Sequence, residues 1–586
     1  MSQAPPPFGI PSILRRVWRL LTPEERRRTG LILVGIAVNS VIDIGGLTVV
    51  IPVIGLVIDP GLIHDNALLA RAYEGSRSWG VGSETQFLVA MALGLMAAFA
   101  FKAIFNFALN LVQTRFSFGV GHRMSRVMWK HHFSQRLERL RTTASGRVLE
   151  EINRWPLAFS SMFIVGNLRF LNEVLVVAIV VVGLLVYKPL VLVGVGLIVG
   201  TGAALIHVAT KRRLAYYSAT AKAVEPQAET LINGAIRGFI EVLSFQASDA
   251  ISENYLRHTH RLYLTTGNAQ VIGSTPAKLY ELLAVAGICV AILMSLAFGD
   301  SNKDFLNLLI LMALSAYKIM PSMTRINAHL INLRAKYHLI NVLEEALLRW
   351  RYLDAQPQEA DLDWTTARMT LRDVSVAYEG GGTVVKGVTW TFEPGMMHAI
   401  VGPSGSGKST VVHALLGLQP AHSGDIMVGP AEGPPQRLGE DVSVRQWMGR
   451  VGYLSQQPFM FAGTVKENLT MGVPGRMVDD ASVRAQVKAL GLEECLGADP
   501  LAFHLVEGGQ NLSGGQQQRL ALLRALQLNR PVLVLDEATS ALDDGQRDRV
   551  FALLRERAAS GQTVLLVTHD KDLAARCDTV MDLGAA

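Results

Sequence analysis

Nine consecutive residues have the types and spacing needed to hold phosphate groups. They read Gly402-Pro403-Ser404-Gly405-Ser406-Gly407-Lys408-Ser409-Thr410 and fit the P-loop pattern G-x-x-x-x-G-K-[ST]. The glycines let backbone N–H groups close around phosphates, Lys408 reaches the phosphate oxygens, and the Ser409 hydroxyl can ligate Mg²⁺. An apolar strand pattern at 397–401 precedes the run and a helical pattern at 411–418 follows it. A chance match is the alternative, and this order of strand, loop and helix disfavours it.

A pair of carboxylates forms the second candidate feature. The apolar run Val532–Leu535 ends in Asp536 and Glu537. A buried parallel strand delivers its last side chains to the sheet edge where ligands of open α/β sheets bind. Asp536 can then hold Mg²⁺ and Glu537 can polarise an attacking water. A solvated strand end is the alternative, and the neighbouring P-loop favours the catalytic interpretation.

These residues need a sheet to position them. Short β-type runs at 397–401, 532–535 and 563–567 alternate with helical patterns, which predicts an α/β domain with a largely parallel core. We assign this domain to 366–586 and a polar linker to 341–365.

The preceding residues have a different composition. The whole chain has 586 residues, of which 50% are hydrophobic and 18% charged, below the roughly 25% charged residues of soluble domains. Residues 1–340 carry 33 basic and 19 acidic side chains, whereas 341–586 carry 22 and 30. This asymmetry predicts a membrane part fused to a soluble part and gives no indication of a nucleic-acid partner.

Six segments of the first part are apolar enough to span a bilayer. We place them, all as helices within a transmembrane domain at 1–340, at about 29–58, 85–114, 162–187, 190–210, 276–299 and 305–330. Six arginines precede the first span and nine Lys or Arg lie in 115–160. The positive-inside bias then puts the N-terminus and the α/β domain in the cytoplasm. We expect the connections 115–160 and 211–270 to continue as helices beyond the bilayer.

The residues before the first span allow two interpretations. Residues 13–21 mix apolar and arginine positions, which fits an interfacial helix or a plain charged flank. Residues 1–12 are proline-rich without an apolar core, so we expect no secretory signal there.

Five further motifs of the α/β domain resemble those of ATP-binding-cassette (ABC) proteins. Leu512-Ser513-Gly514-Gly515-Gln516 is similar to their LSGGQ signature and lies 24 residues before Asp536. Four other positions are similar as well. They are the aromatic residue Tyr378, the Q-loop glutamine Gln456, the D-loop Ser540-Ala541-Leu542-Asp543 and the switch histidine His569. Six spans followed by one such domain resemble the exporter type. The fold class implied is an all-α six-helix transmembrane domain followed by an α/β P-loop ABC ATPase domain.

The resemblance implies the site's ligands and the roles of its residues. ATP and Mg²⁺ are the implied cofactors: Tyr378 would stack on adenine, Gly402–Thr410 would hold the phosphates, and Ser409, Gln456 and Asp536 would hold Mg²⁺. Glu537 would act as the base, assisted by Lys408, Gln456 and His569. Because the signature of one subunit completes the site of another in this family, Leu512–Gln516 and Asp543 imply a homodimer. Asp570, where exporters often carry Arg, reads as a surface change.

Eight charged residues lie within or beside the predicted spans and are functional candidates. Arg169 and Glu173 are spaced i,i+4, and Lys278 and Glu281 i,i+3, so both sets are candidates for helix ion pairs. Three basic residues have no acid at these spacings, namely Lys102, Lys318 and Arg325; Asp43 is the remaining acid. The three either line a cavity for an anionic substrate or reach toward the lipid headgroups.

The cargo is the least determined feature. Residues 316–326 and 44–54 are similar to bacterial lipid-linked oligosaccharide flippases, whose substrates carry a pyrophosphate. We expect ATP-driven flipping of an amphipathic, anionic lipid-linked substrate across the bacterial inner membrane. An exporter of a peptide, a drug or another lipid is the alternative, and a non-transporting ABC ATPase is disfavoured by the six spans.

Overall fold

The computed structural model describes two compact units. The described residues are 9–58, 63, 67–78, 81, 83–134, 145–187, 189–298, 302–355, 364, 366–378, 382–473, 475–538 and 542–584. The first unit, up to Ala355, is helical, and the second, from Gln356, is α/β. The division of fold classes predicted from the sequence is therefore confirmed.

The helical unit is dominated by helices much longer than a bilayer is thick. Three of them have 49 to 51 residues, or about 75 Å at 1.5 Å per residue. The helices are α1 (Ile10–Leu20), α2 (Pro23–Ile58), α3 (Ala67–Arg77), α4 (Glu84–Phe133), α5 (Ser145–Leu149, continuing through π turns at Glu150–Arg154 and Phe159–Val165 to Gly166–Tyr187), α6 (Pro189–Arg237), α7 (Phe239–Ser244), α8 (Ser248–Phe298), α9 (Asn302–Lys336) and α10 (His338–Ala355).

All six predicted spans fall on these helices. Within the described residues, four stretches are long and apolar enough to cross a membrane, namely Pro23–Gly46, Glu84–Phe133, Arg147–Val186 and Ser248–Leu296. The other two predicted spans, 190–210 and 305–330, lie on α6 and α9. The two connections continue as helices, as expected: 115–160 in α4 and α5, and 211–270 mainly in α6 and α8. Residues 135–144 of the first connection lie outside the described residues.

The N-terminal residues form a helix and not an irregular charged flank. Ile13, Val17 and Leu20 of α1 are buried in one apolar cluster with residues of α10 such as Leu343. Arg16 lies on the same side and binds the Glu344 carboxylate at 2.5 Å. The apolar stripe of α1 is thus covered by protein in this unit.

Helix α10 corrects one predicted boundary. The segment 341–355 was assigned to a polar linker, but it is helical and packs within the helical unit. Apolar residues on one side of it, among them Leu343 and Leu347, are buried. A helix whose apolar face is covered is stabilised by that packing, so the residues before Asp354 do not behave as a linker. The rest of the assigned segment, except Trp364, lies outside the described residues.

The second unit contains two main sheets. Its strands are β1 (Ala367–Ala377), β2 (Thr383–Phe392), β3 (Met397–Val401), β4 (Ser423–Pro430), β5 (Gln436–Arg437), β6 (Val451–Leu454), β7 (Gly463–Thr464), β8 (His504–Leu505), β9 (Val532–Asp536), β10 (Thr563–Val567) and β11 (Thr579–Asp582). Its helices are α11 (Lys408–Leu415), α12 (Val444–Met448), α13 (Val465–Thr470), α14 (Asp480–Ala489), α15 (Glu493–Leu496), α16 (Gly514–Gln527), α17 (Asp544–Ala559) and α18 (Lys571–Ala575).

The central sheet is parallel, as predicted. Its strand order is β11-β3-β10-β9-β6, and β3, β9 and β10 are buried at every residue. An antiparallel sheet of order β2-β1-β4-β5 accompanies it. Because β3, β9, β10 and β6 run in the same direction, their carboxyl ends meet at one edge, where open α/β sheets bind ligands.

Candidate nucleotide-binding site

The predicted P-loop connects β3 to α11. The helix starts at Lys408, three residues earlier than the predicted 411, and ends at Leu415. Gly407 has a φ of +96°, and a Cβ there would lie 2.8 Å from Val385 Cγ2. Only glycine therefore fits at this position, and the loop keeps the tight curve that turns backbone N–H groups toward a bound anion.

Side chains of the loop have the chemistry to receive phosphates. Lys408 is buried, and its Nζ donates to the carbonyl oxygens of Gly402 at 2.9 Å and Pro403 at 3.0 Å. The Ser406 hydroxyl is buried and has no hydrogen-bond partner within the described part of the chain. An ammonium held by neutral carbonyls and a buried hydroxyl without a partner both fit a bound polyphosphate.

Asp536 lies at the end of β9 and is buried. Burial raises the pKa of its carboxyl and Glu537 adds to the rise, whereas Lys408, a hydrogen bond from Ser409 and His569 lower it. The charged form is therefore disfavoured until a further cation is present. A carboxylate and a hydroxyl are oxygen ligands of the kind that Mg²⁺ prefers, so Asp536 and Ser409 fit this ion.

Three predicted catalytic residues come together at the neighbouring position. Gln456 Nε2 donates to Glu537 Oε2 at 2.6 Å, and His569 Nε2 lies 2.6 Å from Glu537 Oε1. Gln456 follows β6, Glu537 follows β9 and His569 follows β10, and these three strands are adjacent in the order β10-β9-β6. Parallel pairing thus joins residues that are 32 to 113 positions apart in the chain.

The backbone of Glu537 adopts a left-handed conformation with φ of +52°. Its N–H donates to the Val567 carbonyl at 3.0 Å, which continues the pairing of β9 with β10 by one residue. A non-glycine residue is strained in this region. The strain is offset by this hydrogen bond and by the two contacts of the side chain, which fix its direction.

Tyr378 lies beside the P-loop helix. Its hydroxyl is 3.1 Å from Thr410 Oγ1, which ties the residue after β1 to the first turn of α11. The aromatic residue expected to stack on adenine is therefore next to the loop expected to hold the phosphates. Its stacking role stays a prediction.

The signature residues form the start of α16. Ser513 is the N-cap and exchanges two hydrogen bonds with Gln516. The Ser513 hydroxyl accepts the backbone N–H of Gln516, and the backbone N–H of Ser513 donates to Gln516 Oε1. Gly514 and Gly515 follow in the first helical turn, so their N–H groups belong to the positive end of the helix. Among the described hydrogen bonds and ion pairs, none joins Leu512–Gln516 to Gly402–Thr410.

Asp543 is the N-cap of α17 and accepts the Gln546 N–H at 2.7 Å. Ser540 and Ala541 of the predicted D-loop lie outside the described residues.

Asp570 has a structural role that the motifs do not indicate. It is the N-cap of α18 and accepts the N–H groups of Asp572 and Leu573, both at 3.0 Å. Its other oxygen is 3.2 Å from Arg547 Nη1. The expectation of a surface change without much mechanistic weight did not include this cap, by which Asp570 fixes the backbone next to His569. The signal in the sequence was an Asp directly before a short apolar helical run.

The ion pairs of the helical unit differ most from those expected from the sequence. Lys318 Nζ is 2.8 Å from Asp43 Oδ2, and Lys102 Nζ is 2.9 Å from Asp43 Oδ1. Arg325 Nη1 is 3.2 Å from Glu173 Oε1. The three basic residues are thus paired with acids on other helices, which a search at i,i+3 and i,i+4 does not reveal.

The predicted helix pairs have different outcomes. Glu173 binds Arg325 and accepts the Ser322 hydroxyl at 2.6 Å, while Arg169 is exposed, so the Arg169–Glu173 pair is wrong. Lys278 and Glu281 do approach to 3.6 Å, and both side chains are largely exposed.

Comparison with known proteins agrees with this geometry. Residues 385–540 match the protein family described as ABC transporter. The ATP-dependent lipid A-core flippase of Saccharophagus degradans is 34% identical over 238 residues, 40% of this chain and 39% of that protein. The ABC multidrug transporter MDR2 of Trichophyton interdigitale is 33% identical over 231 residues, 38% of this chain and 17% of that protein. The chain thus spans less than two fifths of the length of either relative.

One solved structure covers nearly the whole chain. It is that of a bacterial Atm1-family ABC exporter with ATP bound, with a TM-score of 0.72 at 19% sequence identity, covering 95% of this chain and 94% of that one. The similarity extends through the long helices as well as the α/β unit. Residues 385–540 of the C-terminal unit therefore match the ABC transporter family, and the chain as a whole has the fold of the solved exporter.

Proposed function

We propose that this protein hydrolyses ATP and uses the cycle to move an amphipathic substrate across a membrane. One observation carries the first half of this proposal, the convergence of Gln456 and His569 on Glu537 at the sheet edge that also holds the P-loop. The second half follows from four membrane-length apolar stretches in the same chain.

The hydrolysis step can be assigned to residues of this site. Glu537 takes a proton from the attacking water, whose oxygen forms a bond to the γ-phosphorus as the bond to the β–γ bridging oxygen breaks. Gln456 and His569 hold the carboxylate in place. Lys408 and the loop N–H groups neutralise the negative charge that spreads over the phosphoryl oxygens. Mg²⁺, held by Ser409 and Asp536 when bound, supplies further neutralisation.

A second copy of the chain completes the site in this proposal. Each chain has one P-loop and one signature, and the described residues show no hydrogen bond between them. A homodimer with two-fold symmetry would place Ser513 of each chain on the nucleotide of the other and so form two equivalent sites. Nucleotide binding would then close the dimer, and hydrolysis would reopen it. The long helices would transmit the change to the membrane.

The cargo and location are proposed from charge and similarity. The basic residues flanking the apolar helices support a cytoplasmic N-terminus and ATP-binding unit, and the apolar helices with a bacterial flippase relative support a bacterial membrane, for which we propose the inner membrane. That relative is named for a lipid cargo, which supports an amphipathic lipid-linked substrate with an anionic headgroup. The multidrug transporter relative supports export of a hydrophobic drug as a second candidate.

Reconstitution tests both halves of the proposal. The full-length protein in liposomes should hydrolyse ATP, and a lipid-linked glycan should stimulate it and appear in the opposite leaflet in an ATP-dependent way. Peptides, drugs and neutral lipids form the comparison set. If only drugs stimulate hydrolysis, the cargo is a drug and not a lipid. If ATP is hydrolysed but no compound is transported, the protein is a non-transporting ATPase. Absence of hydrolysis in an intact dimer would overturn the proposal as a whole.

A further inference from the structure

We propose that Lys102 and Lys318 form the binding site for the anionic headgroup of the cargo, and that Asp43 occupies this site as an internal counter-ion until the headgroup replaces it. The inference rests on the proposed function and assigns its substrate class to a defined position. The predicted third member, Arg325, is not part of the site.

The two ammonium groups share one carboxylate. Lys318 Nζ is 2.8 Å from Asp43 Oδ2 and Lys102 Nζ is 2.9 Å from Oδ1, and Lys102 Nζ is also 3.4 Å from the Asp43 carbonyl oxygen. The residues come from α9, α4 and α2. The Asp43 side chain is 9% exposed, whereas those of Lys102 and Lys318 are 17% and 18% exposed.

The charges in this cluster do not balance. Two ammonium groups and one carboxylate leave an excess of one positive charge, and each ammonium has three N–H donors. In the described part of the helical unit, neither lysine has a second carboxylate partner. Glu173, the other acid predicted within the spans that pairs between helices, is held by Ser322 and Arg325. A positive excess within apolar helices is unfavourable, and an anion with several oxygens would relieve it.

The position suits a headgroup that is crossing a bilayer. Asp43 lies 14 residues after the predicted start of the first span at 29 and 15 residues before Ile58. At 1.5 Å per residue, Asp43 is about 21 Å along the helix axis from each end of the predicted span 29–58. A headgroup bound there would be near the middle of its path, where no lipid phosphate of the bilayer competes for the lysines.

Competition for the same donors explains the role of Asp43. A carboxylate brings one negative charge and two oxygens, whereas a phosphate or pyrophosphate brings more of both. The more highly charged anion can therefore displace Asp43 from the two lysines. A neutral headgroup cannot, so the counter-ion rejects uncharged lipids. Release of the cargo lets Asp43 return and restores the starting state.

The experiment uses full-length protein in nanodiscs of phosphatidylcholine with three probes: a polyprenyl pyrophosphate, the matching uncharged polyprenol, and inorganic pyrophosphate with excess Mg²⁺. The measured quantity is the probe concentration that half-maximally stimulates ATP hydrolysis, together with binding of the polyprenyl pyrophosphate without ATP. The variants are Lys102→Met and Lys318→Met, which each leave a single neutral ion pair with Asp43, and Asp43→Asn. Lys278→Met is the matched control, since its pair with Glu281 is exposed.

Each lysine variant should raise the half-maximal concentration of polyprenyl pyrophosphate at least 10-fold and leave the polyprenol response unchanged. Asp43→Asn should lower it about threefold or more, because the internal competitor is gone. If Asp43→Asn does not fold, the double variant Asp43→Asn with Lys102→Met keeps the wild-type excess charge, and its half-maximal concentration should lie about threefold or more below that of Lys102→Met alone because the internal competitor is gone.

Three results would overturn the inference in distinguishable ways. Unchanged pyrophosphate-lipid stimulation in both lysine variants would make the cluster structural while the proposed cargo stands. A wild-type protein that responds to drugs or peptides but to neither lipid would remove the proposed cargo and the site with it. Stimulation by inorganic pyrophosphate alone, lost in the lysine variants, would assign the site to a soluble anion and exclude the lipid.

Discussion

Replacement of the candidate base is the most direct test of the nucleotide site. Glu537→Gln should abolish steady-state ATP hydrolysis and preserve ATP binding. Among the described residues at this sheet edge, Glu537 is the carboxylate at which His569 and Gln456 both direct a nitrogen, so we expect it to accept the proton from water. The P-loop residues that contact phosphates are untouched by the change.

The expected magnitude follows from these contacts. General base catalysis contributes roughly 10²- to 10⁴-fold, which corresponds to about 3–5 kcal/mol of activation free energy. The substituted amide also turns one acceptor into a donor. It therefore loses one of the two 2.6 Å contacts, to Gln456 or to His569, a change of about 1 kcal/mol at a partly buried position. The dissociation constant for ATP should change by less than about threefold, since this smaller term does not involve the P-loop.

The assay compares kcat of the reconstituted protein with the affinity for a fluorescent ATP analogue. Glu556→Gln is the matched control, because Glu556 is an exposed residue within α17 and the same change there should leave both quantities unaltered. Turnover within threefold of the wild type in Glu537→Gln would refute the assignment of the base. Loss of ATP binding together with turnover would show that Glu537 organises the loop and does not act in the chemical step.

Three further predictions concern the same unit. Gly407→Ala should weaken ATP binding at least 10-fold by titration, because its Cβ would meet Val385, whereas Gly439→Ala, with φ of +92° and no atom within 4 Å of its Cβ, should not. Asp570→Ala should lower Tm by roughly 2–4 °C through loss of the α18 cap, worth about 1 kcal/mol, and Asp572→Ala should have a smaller effect. Burial raises the pKa of Asp536, so its contribution to the stability of the nucleotide-free protein is greatest below the usual Asp pKa and falls as pH rises through the raised pKa. Asp536→Asn should therefore raise Tm at pH 7 without nucleotide while abolishing Mg²⁺-dependent turnover, and a lower Tm would contradict this sign.

Motifs with fixed local spacing predicted much of the ATP-binding unit. The strands at 397–401 and 563–567 have the predicted bounds, because short apolar runs between turn residues have few alternatives to a buried strand. The P-loop lies between a strand and a helix, as its glycines and Lys408 require. The helix after the loop is shifted by three residues from the predicted 411–418. It spans Lys408–Leu415 because the loop closes directly into its first turn.

Two features of the helical unit were mispredicted because their cause is tertiary. The linker was assigned from the polar run Asp354–Glu359, yet the residues before that run form α10 because Leu343 and Leu347 pack against apolar residues of other helices. The Arg169–Glu173 pair has suitable helical spacing, but Glu173 instead meets Arg325 from α9. Helix geometry allows a pair, and the packing of neighbouring helices decides which pair forms.

The sequence by itself predicted the chemistry that we propose for this protein: a phosphate-binding loop, a carboxylate pair for a metal and a base, and apolar segments of membrane length. These depend on residue type and local spacing, which a chain carries without its fold. Only the tertiary structure placed Gln456 and His569 on Glu537, made Asp570 a cap, and brought Lys102 and Lys318 to Asp43. Parallel strand pairing and helix packing join residues that are far apart in the chain, such as Lys318 and Asp43 at 275 positions, and a contact of that kind has no periodicity for the sequence to show.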